Sequence, residues 1–381
     1  MRSSINNRYH HDLAAISKFF FSIGIVSFLA LAGCNYDIAK DLVKAPNRQS
    51  PDRGVDAPAE VLAEYHVSQQ LRVNVGPPAA SVLVWVVNPI DSHQKKLSLG
   101  PDVDGQPVVL LTDQPQNSPS VASFTAPPLP RATVFMLNGL GDRMESPSYE
   151  FYSLLIASEG YRVVMLDLRG HGRSTGDHIT YGFRESRDLV QILDALQRQG
   201  MICGPVGVVG ISYGGAMAIC WAAIDPRVRA VVALEPFSSL REATRDAGPS
   251  LLGADRWMFS GEDLQKVAGI MGRMEGFDPN RDSPLAAIAR CKTPVLLIHG
   301  KSDTFLRPEH SIRLHEAALD HSRLILVDGA NHFDLWLKGL PMIPREINAW
   351  FGQYLPAPSY AASPTTRPFA STQPVRLGLS P

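Results

Sequence analysis

The sequence predicts an α/β fold built on a mostly parallel, doubly wound sheet. Two observations predict it. Six continuous apolar runs, "TVFMLNG", "YRVVMLDL", "VGVVGIS", "RAVVALEP", "PVLLIHG" and "RLILVDG", follow one another after Arg131. Unbroken apolar strands are expected where both faces of a parallel sheet are covered. Between the runs lie segments of helical periodicity, and alternation of this kind implies parallel strands joined by crossover helices.

The elements are legible in order. Ahead of Arg131, "LRVNV", "SVLVWVVNPI" and "PVVLLT" are short runs split by Pro, Gly and Asp. They read as antiparallel strands feeding into the larger sheet. Ser148 to Ser158 carries Phe151, Leu154 and Leu155 on one face and stops at Gly160. The next helix has Leu189, Ile192, Leu193 and Leu196, an i, i+3, i+4, i+7 stripe that stops at Gly200. Phe237 to Arg290 breaks the rhythm with no clear strand, which predicts a helical insertion over the carboxyl edge of the sheet. "FGQYLP" closes the last helix, and the Pro/Ser/Thr-rich residues 356–381 read as a disordered tail.

The N-terminus reads as an export signal. Arg2, Arg8 and Lys18 precede "FFFSIGIVSFLALAG", an apolar run of about 15 residues, shorter than the ~20 of a spanning helix. It ends in Leu31-Ala32-Gly33-Cys34, which resembles the lipobox of bacterial lipoproteins. That resemblance implies cleavage after residue 33 and lipidation of Cys34. It places the remaining chain outside the cytoplasm, held to the cell envelope by acyl chains worth ~0.8 kcal/mol per buried methylene. Asn35 in place of an acidic residue leans the expectation towards the outer membrane. Residues 34–60 read as a polar, proline-spotted tether, and 61–355 as the folded domain, with its insertion at about 237–290.

Composition narrows the partners. A net charge of −1, with no basic stripe, argues against nucleic acid. Cys203, Cys220 and Cys291 have the spacing of neither a zinc site nor a redox pair, and predict buried thiols. A Cys203–Cys220 disulfide is the alternative. Nothing in the sequence speaks to oligomeric state.

The stretch "VGVVGISYGG" (206–215) holds the pattern Gly-x-Ser-x-Gly. With Gly and Ser each near 7% of residues, the pattern alone arises by chance in roughly one chain in eight of this length. Its context is what matters. A buried strand runs into Ser212 and a helical run follows from Ala216, the strand–turn–helix setting of a nucleophile elbow. A serine needs a base to attack at neutral pH, and the base needs an acid to fix its tautomer. "VDGANHFD" supplies His332 after the last strand, and "LLIHGKSDTF" supplies Asp303 after the one before. The order Ser212, Asp303, His332 has gaps of 91 and 29 residues.

With "DLRGHGRS", "GISYGG", "HGKSDTF" and "GANHF", residues 131–355 resemble the α/β-hydrolase family, nearest to serine hydrolases with a short helical cap. Esterases, monoacylglycerol-lipase-like enzymes and the serine aminopeptidase-like group belong there. The resemblance implies a Ser212–His332–Asp303 triad, an acyl-enzyme intermediate, a small acyl substrate, and no metal or organic cofactor. It implies oxyanion donors at the amides of Tyr213 and Leu140, the latter in "MLNGLGD", where many relatives carry His-Gly in place of Asn138-Gly139. Alternatives stay open at several positions. Glu235 stands where some relatives keep the triad acid, and His171 is a second candidate base. Asp167 and Arg169 read as loop-ordering residues. "RWMF" (256–259), Met271, Met274 and Phe277 read as cap core or as an acyl pocket. Glu262, Asp263 and Glu275 are candidate holders of a substrate amine, as peptide cleavage requires. A carboxylic ester is the first expected substrate; peptidase, acyltransferase and non-catalytic binding roles are the rivals.

Overall fold

A computed structural model describes residues 31–90, 95–101, 107–113, 129–252 and 259–357. The expected signal segment up to residue 30, the side chain of Cys34, residues 256–258 and the tail from residue 358 lie outside the described residues.

The chain begins with helices α1 (Leu31–Leu42) and α2 (Ala59–Glu64). Strands β1 (Gln69–Val75), β2 (Ala80–Val87), β3 (Lys95–Pro101) and β4 (Pro107–Asp113) follow. Then strands and helices alternate: β5 (Thr133–Leu137), α3 (Pro147–Ser158), β6 (Arg162–Leu166), α4 (Phe183–Arg198), β7 (Val206–Ile211), α5 (Tyr213–Ala222) and β8 (Val228–Leu234). The insertion is α6 (Leu240–Leu252), α7 (Gly261–Glu275) and α8 (Pro284–Arg290). The domain ends with β9 (Val295–Gly300), α9 (Glu309–Glu316), β10 (Ser322–Val327), α10 (Leu335–Lys338) and α11 (Met342–Tyr354).

Eight strands form one sheet in the order β1-β2-β6-β5-β7-β8-β9-β10. The pairs from β6 to β10 are parallel, and β2 joins antiparallel to both β1 and β6. All six expected parallel strands are present. Alternation along them fills two core layers. Val82, Val84, Phe135, Leu137, Val164 and Leu166 pack with α1, α4 and α5. Leu83, Trp85, Val134, Met136, Val163 and Met165 pack on the other face with α3 and α11. Such double cover is why these strands carry no polar face.

Strand order reverses at β5: β6 lies on one side of it and β7 on the other. The loops after β5 and β7 therefore diverge and leave a crevice at the carboxyl ends, where ligands bind in sheets of this type. The helical insertion follows β8 on the same edge, as its lack of strand signals predicts.

Two expectations are corrected. The run "PVVLLT" does not feed the large sheet; β4 pairs only with β3, in a separate two-stranded ribbon. Strand β2 already has β1 on one edge and β6 on the other, so the later run pairs with its neighbour in sequence. The segment 34–60 is not a free tether. In and after α1, Ile38, Ala39, Leu42, Val43 and Ala45 are buried in the core. The chain then follows the loop after β6: Ala45 N donates to Asp177 O, Asn47 N to Gly170 O and Gly54 N to Arg173 O. The short stripe at 38, 39, 42 and 43 sits among polar residues and prolines, which masked its helical spacing.

Candidate active site

Strand β7 delivers Ser212 into a turn with φ 53° and ψ −111°, after which α5 begins at once with Tyr213. A serine with positive φ is uncommon and persists only where its surroundings over-determine it. Here Ser212 N donates to Leu234 O at 2.7 Å. The flanking glycines allow the turn: a Cβ at Gly210 would run into the Gly214 carbonyl, and one at Gly214 into the Leu137 carbonyl.

His332 sits in the loop after β10, and its Nε2 lies 3.0 Å from Ser212 Oγ. Its Nδ1 lies 2.7 Å from Asp303 Oδ2. Nδ1–H therefore donates to the carboxylate, and Nε2 is left with a lone pair facing the serine hydroxyl. The loops after β9 and β10 are tied together, with Ser302 N donating to Ala330 O. Asn331 N donates to Asp334 Oδ1, and Phe333 N to Asn331 Oδ1, which orders the turn that carries the histidine.

Asp303 is buried, and burial alone raises a carboxyl pKa. Hydrogen bonds with His299 and His332 outweigh it and hold the group well below the usual carboxylate range. Its Oδ1 accepts from the amides of Phe305 and Leu306 at 2.9 Å each, and His299 Nε2 approaches Oδ2 at 3.2 Å. Glu235, the other acid weighed, lies farther off: its Oε2 is 4.0 Å from His332 Nδ1. Its carboxyl is pushed well above its ordinary value, first by burial and then by the charges of Asp303 and Asp334. Glu235, Asp303 and His332 bring their ligand-type atoms within 4.8 Å of one another. Both nitrogens of His332 are already engaged, by Asp303 and Ser212, so the imidazole offers no free lone pair to a cation.

Tyr213 is the first residue of α5, where a backbone N–H has no intrahelical partner. The loop after β5 lies against this turn, since the Cβ direction of Gly214 points at the Leu137 and Asn138 carbonyls. Leu140 N donates no hydrogen bond to a described residue. Asn138 braces the loop: Nδ2 donates to Gly139 O and Asp142 O, and Oδ1 accepts from Leu168 N. These contacts fix the loop that carries Leu140 against the turn that carries Tyr213.

The remaining expected residues resolve into supports. His171 is fully buried, with Nδ1 on Arg169 O at 2.8 Å and its ring 5.2 Å from that of Tyr213. It lies outside the Ser212–His332–Asp303 chain. Asp167 accepts from the amides of Met144 and Arg173, and Arg169 makes a buried two-pronged pair with Asp188 at 2.7 and 2.8 Å. Met271 and Phe277 are buried, Phe277 stacked on Phe183, which is the packing of cap core. Glu262 and Asp263 pair with Lys266, and Glu275 pairs with Arg184 and His178. Cys203, Cys220 and Cys291 are free.

Two features escaped the sequence reading. His299 stands four residues before Asp303 in "HGKSDTF" and joins it; only the i, i+4 spacing hinted at this. Phe305 and Phe333 flank His332, with ring centroids 4.9 and 5.3 Å from the imidazole, and Phe333 is 56% exposed. An exposed aromatic beside the histidine was visible in "NHFD" but carried no signal of its position.

The family model described as "Alpha/beta hydrolase family" matches residues 134–339, more than half of the chain. The chain belongs to the alpha/beta hydrolase family. Among curated relatives of this hydrolase, the uncharacterised protein YqkD of Bacillus subtilis is 28% identical over 184 residues, covering 48% of this chain and 59% of that protein. Dipeptidyl-peptidase 5 of Porphyromonas gingivalis is 23% identical over 219 residues, covering 55% of this chain and 31% of that protein. The matched stretch thus spans less than two thirds of either relative. Among solved structures, the esterase Pf2001 of Pyrococcus furiosus superposes with a TM-score of 0.55 at 18% identity, covering 80% of this chain and 98% of that one. Likeness at this identity establishes the alpha/beta hydrolase fold. No helix among the described residues is long and apolar enough to cross a membrane.

Proposed function

We propose that this hydrolase cleaves a carboxylic ester through an acyl-enzyme. The observation that carries the reading is the unbroken hydrogen-bond chain Ser212–His332–Asp303 on a strained elbow. Ser212 Oγ attacks the acyl carbonyl while His332 Nε2 takes its proton. Asp303 stabilises the resulting imidazolium, and the amides of Tyr213 and Leu140 receive the oxyanion. His332 returns the proton to the leaving alcohol, and a water activated by the same imidazole releases the acid. Phe305 and Phe333 offer an apolar wall beside the histidine for the substrate.

Peptide cleavage draws some support from the likeness to Dipeptidyl-peptidase 5. The cap carboxylates that would hold a substrate amine are already paired, which favours the ester. A purely binding role would tolerate loss of triad members, and all three are present. Hydrolysis of p-nitrophenyl esters from short to long chains tests the reading. Turnover by the wild type that disappears in Ser212→Ala supports it; equal turnover by both proteins overturns it.

We also propose that Cys34 carries the lipid that holds the enzyme at the cell envelope. Because Ile38 is already in the core, only about 6 Å of helix separates the anchor from the folded domain. The enzyme then sits directly on the bilayer, with no reach into the surrounding space. Metabolic labelling with an alkynyl fatty acid tests this: Cys34→Ala should lose the label and leave the membrane fraction.

A further inference from the structure

We propose that Glu235 is a positioning residue behind His332, a second carboxyl that takes over the imidazole when Asp303 is removed. The proposal rests on the serine-hydrolase reading of the same site.

Glu235 directly follows β8, beside the strand that delivers Ser212, and continues the ladder by donating its N–H to Ile298 O at 2.8 Å. Its backbone has φ 51°, a conformation that L side chains adopt rarely. This turn directs a carboxyl with 3% side-chain exposure towards the imidazole. One oxygen stands 4.0 Å from His332 Nδ1, and the other accepts no hydrogen bond from a described residue. A buried carboxyl that folding merely tolerates is normally paired. This one is instead aimed at the nitrogen that Asp303 serves.

Burial first, and the charges of Asp303 and Asp334 after it, keep the proton on Glu235. Removing the Asp303 carboxylate deletes part of that penalty and leaves His332 Nδ1–H as a buried donor without its acceptor. As the imidazolium forms, its positive charge favours the ionised carboxyl; Glu235 releases its proton to solvent and closes about 1 Å to reach hydrogen-bond distance.

The test is a double-mutant cycle of Asp303→Ala and Glu235→Gln, read as kcat and KM on a p-nitrophenyl ester, with Ser212→Ala alongside. Glu235→Gln should lower kcat by less than about 3-fold when Asp303 is present, and by about 10-fold or more in the Asp303→Ala background, with KM unmoved in both. Equal losses in the two backgrounds overturn the proposal. A second reading needs only the single Asp303→Ala variant: the downfield proton resonance of His332 Nδ1–H should persist if Glu235 accepts it. Its loss contradicts the assignment. The two failures are distinguishable. Turnover that survives in Ser212→Ala sinks the serine-hydrolase reading, whereas turnover that needs Ser212 but shows an additive cycle sinks only the role of Glu235.

Discussion

His332 Nδ1 stands 2.7 Å from Asp303 Oδ2, inside a loop pair that also supplies two backbone amides to the same carboxylate. This bond fixes the tautomer that leaves Nε2 free to accept from Ser212. Asp303→Asn keeps the volume, so Glu235 stays at its distance, but presents an amide to Nδ1. The ring then turns its proton towards Ser212. The expected loss in kcat is about 10⁴-fold with little change in KM. Steady-state kinetics on one ester check it, and a loss of under about 10-fold removes Asp303 from the triad.

Gly214 has no room for a side chain, because an added Cβ meets the backbone carbonyl of Leu137. Backbone on both sides cannot yield as a flexible side chain would. Gly214→Ala should therefore cost at least about 2 kcal/mol and distort the elbow. Thermal unfolding and ester turnover should fall together in this variant, whereas Gly352→Ala, in open space inside α11, should lower neither and raise the unfolding midpoint slightly.

Asn47 binds the N-terminal strap to the loop after β6. Its Nδ2 donates to Gly172 O at 2.9 Å and to Ser174 O at 2.6 Å. Asn47→Ala leaves both carbonyls short of a donor and should cost about 1–3 kcal/mol. Asn47→Asp should cost more, since it points a carboxylate at two carbonyl oxygens. Denaturant midpoints of the two variants give the order; equal stability of wild type and Asn47→Ala would mean the strap does not support the domain.

His171 makes stability depend on acid. Burial pushes its imidazole down from 6.5 to about 4, so the folded protein keeps it neutral. The unfolded chain binds a proton below about pH 6.5, and the folded state does not until about pH 4. Unfolding is therefore favoured as pH falls through that window, by about 3 kcal/mol in total from this residue. His171→Gln removes the titration. Its denaturation midpoint should fall less between pH 6.5 and 4 than that of the wild type, and parallel curves would contradict the assignment.

The parallel sheet and its helices were legible because strand and helix periods alternate without interruption after Arg131. The hydrogen-bonded cluster of Ser212, His332 and Asp303 was legible for a different reason: the loops after β7, β9 and β10 each carry one chemical residue type shortly after an apolar run. What stayed hidden depends on three-dimensional approach. Asp303 and Glu235 both follow strands closely in the sequence, and only the 2.7 Å against 4.0 Å to His332 separates them. The strap at 38–57 looked like a tether because its hydrogen bonds run to residues more than a hundred positions away, as Asn47 does to Gly172. His299 lies four residues before Asp303 and Phe333 directly follows His332, and neither position told a partner from a neighbour.

The central claim is that Ser212 is an activated nucleophile, and covalent capture tests it most directly. The full chain is treated with a fluorophosphonate, digested, and the modified peptide located by mass spectrometry. The account predicts one adduct, on Ser212, formed rapidly in the wild type and absent from Ser212→Ala and strongly slowed in His332→Ala. A folded wild-type protein that takes up no label, or takes it up equally in Ser212→Ala, contradicts it.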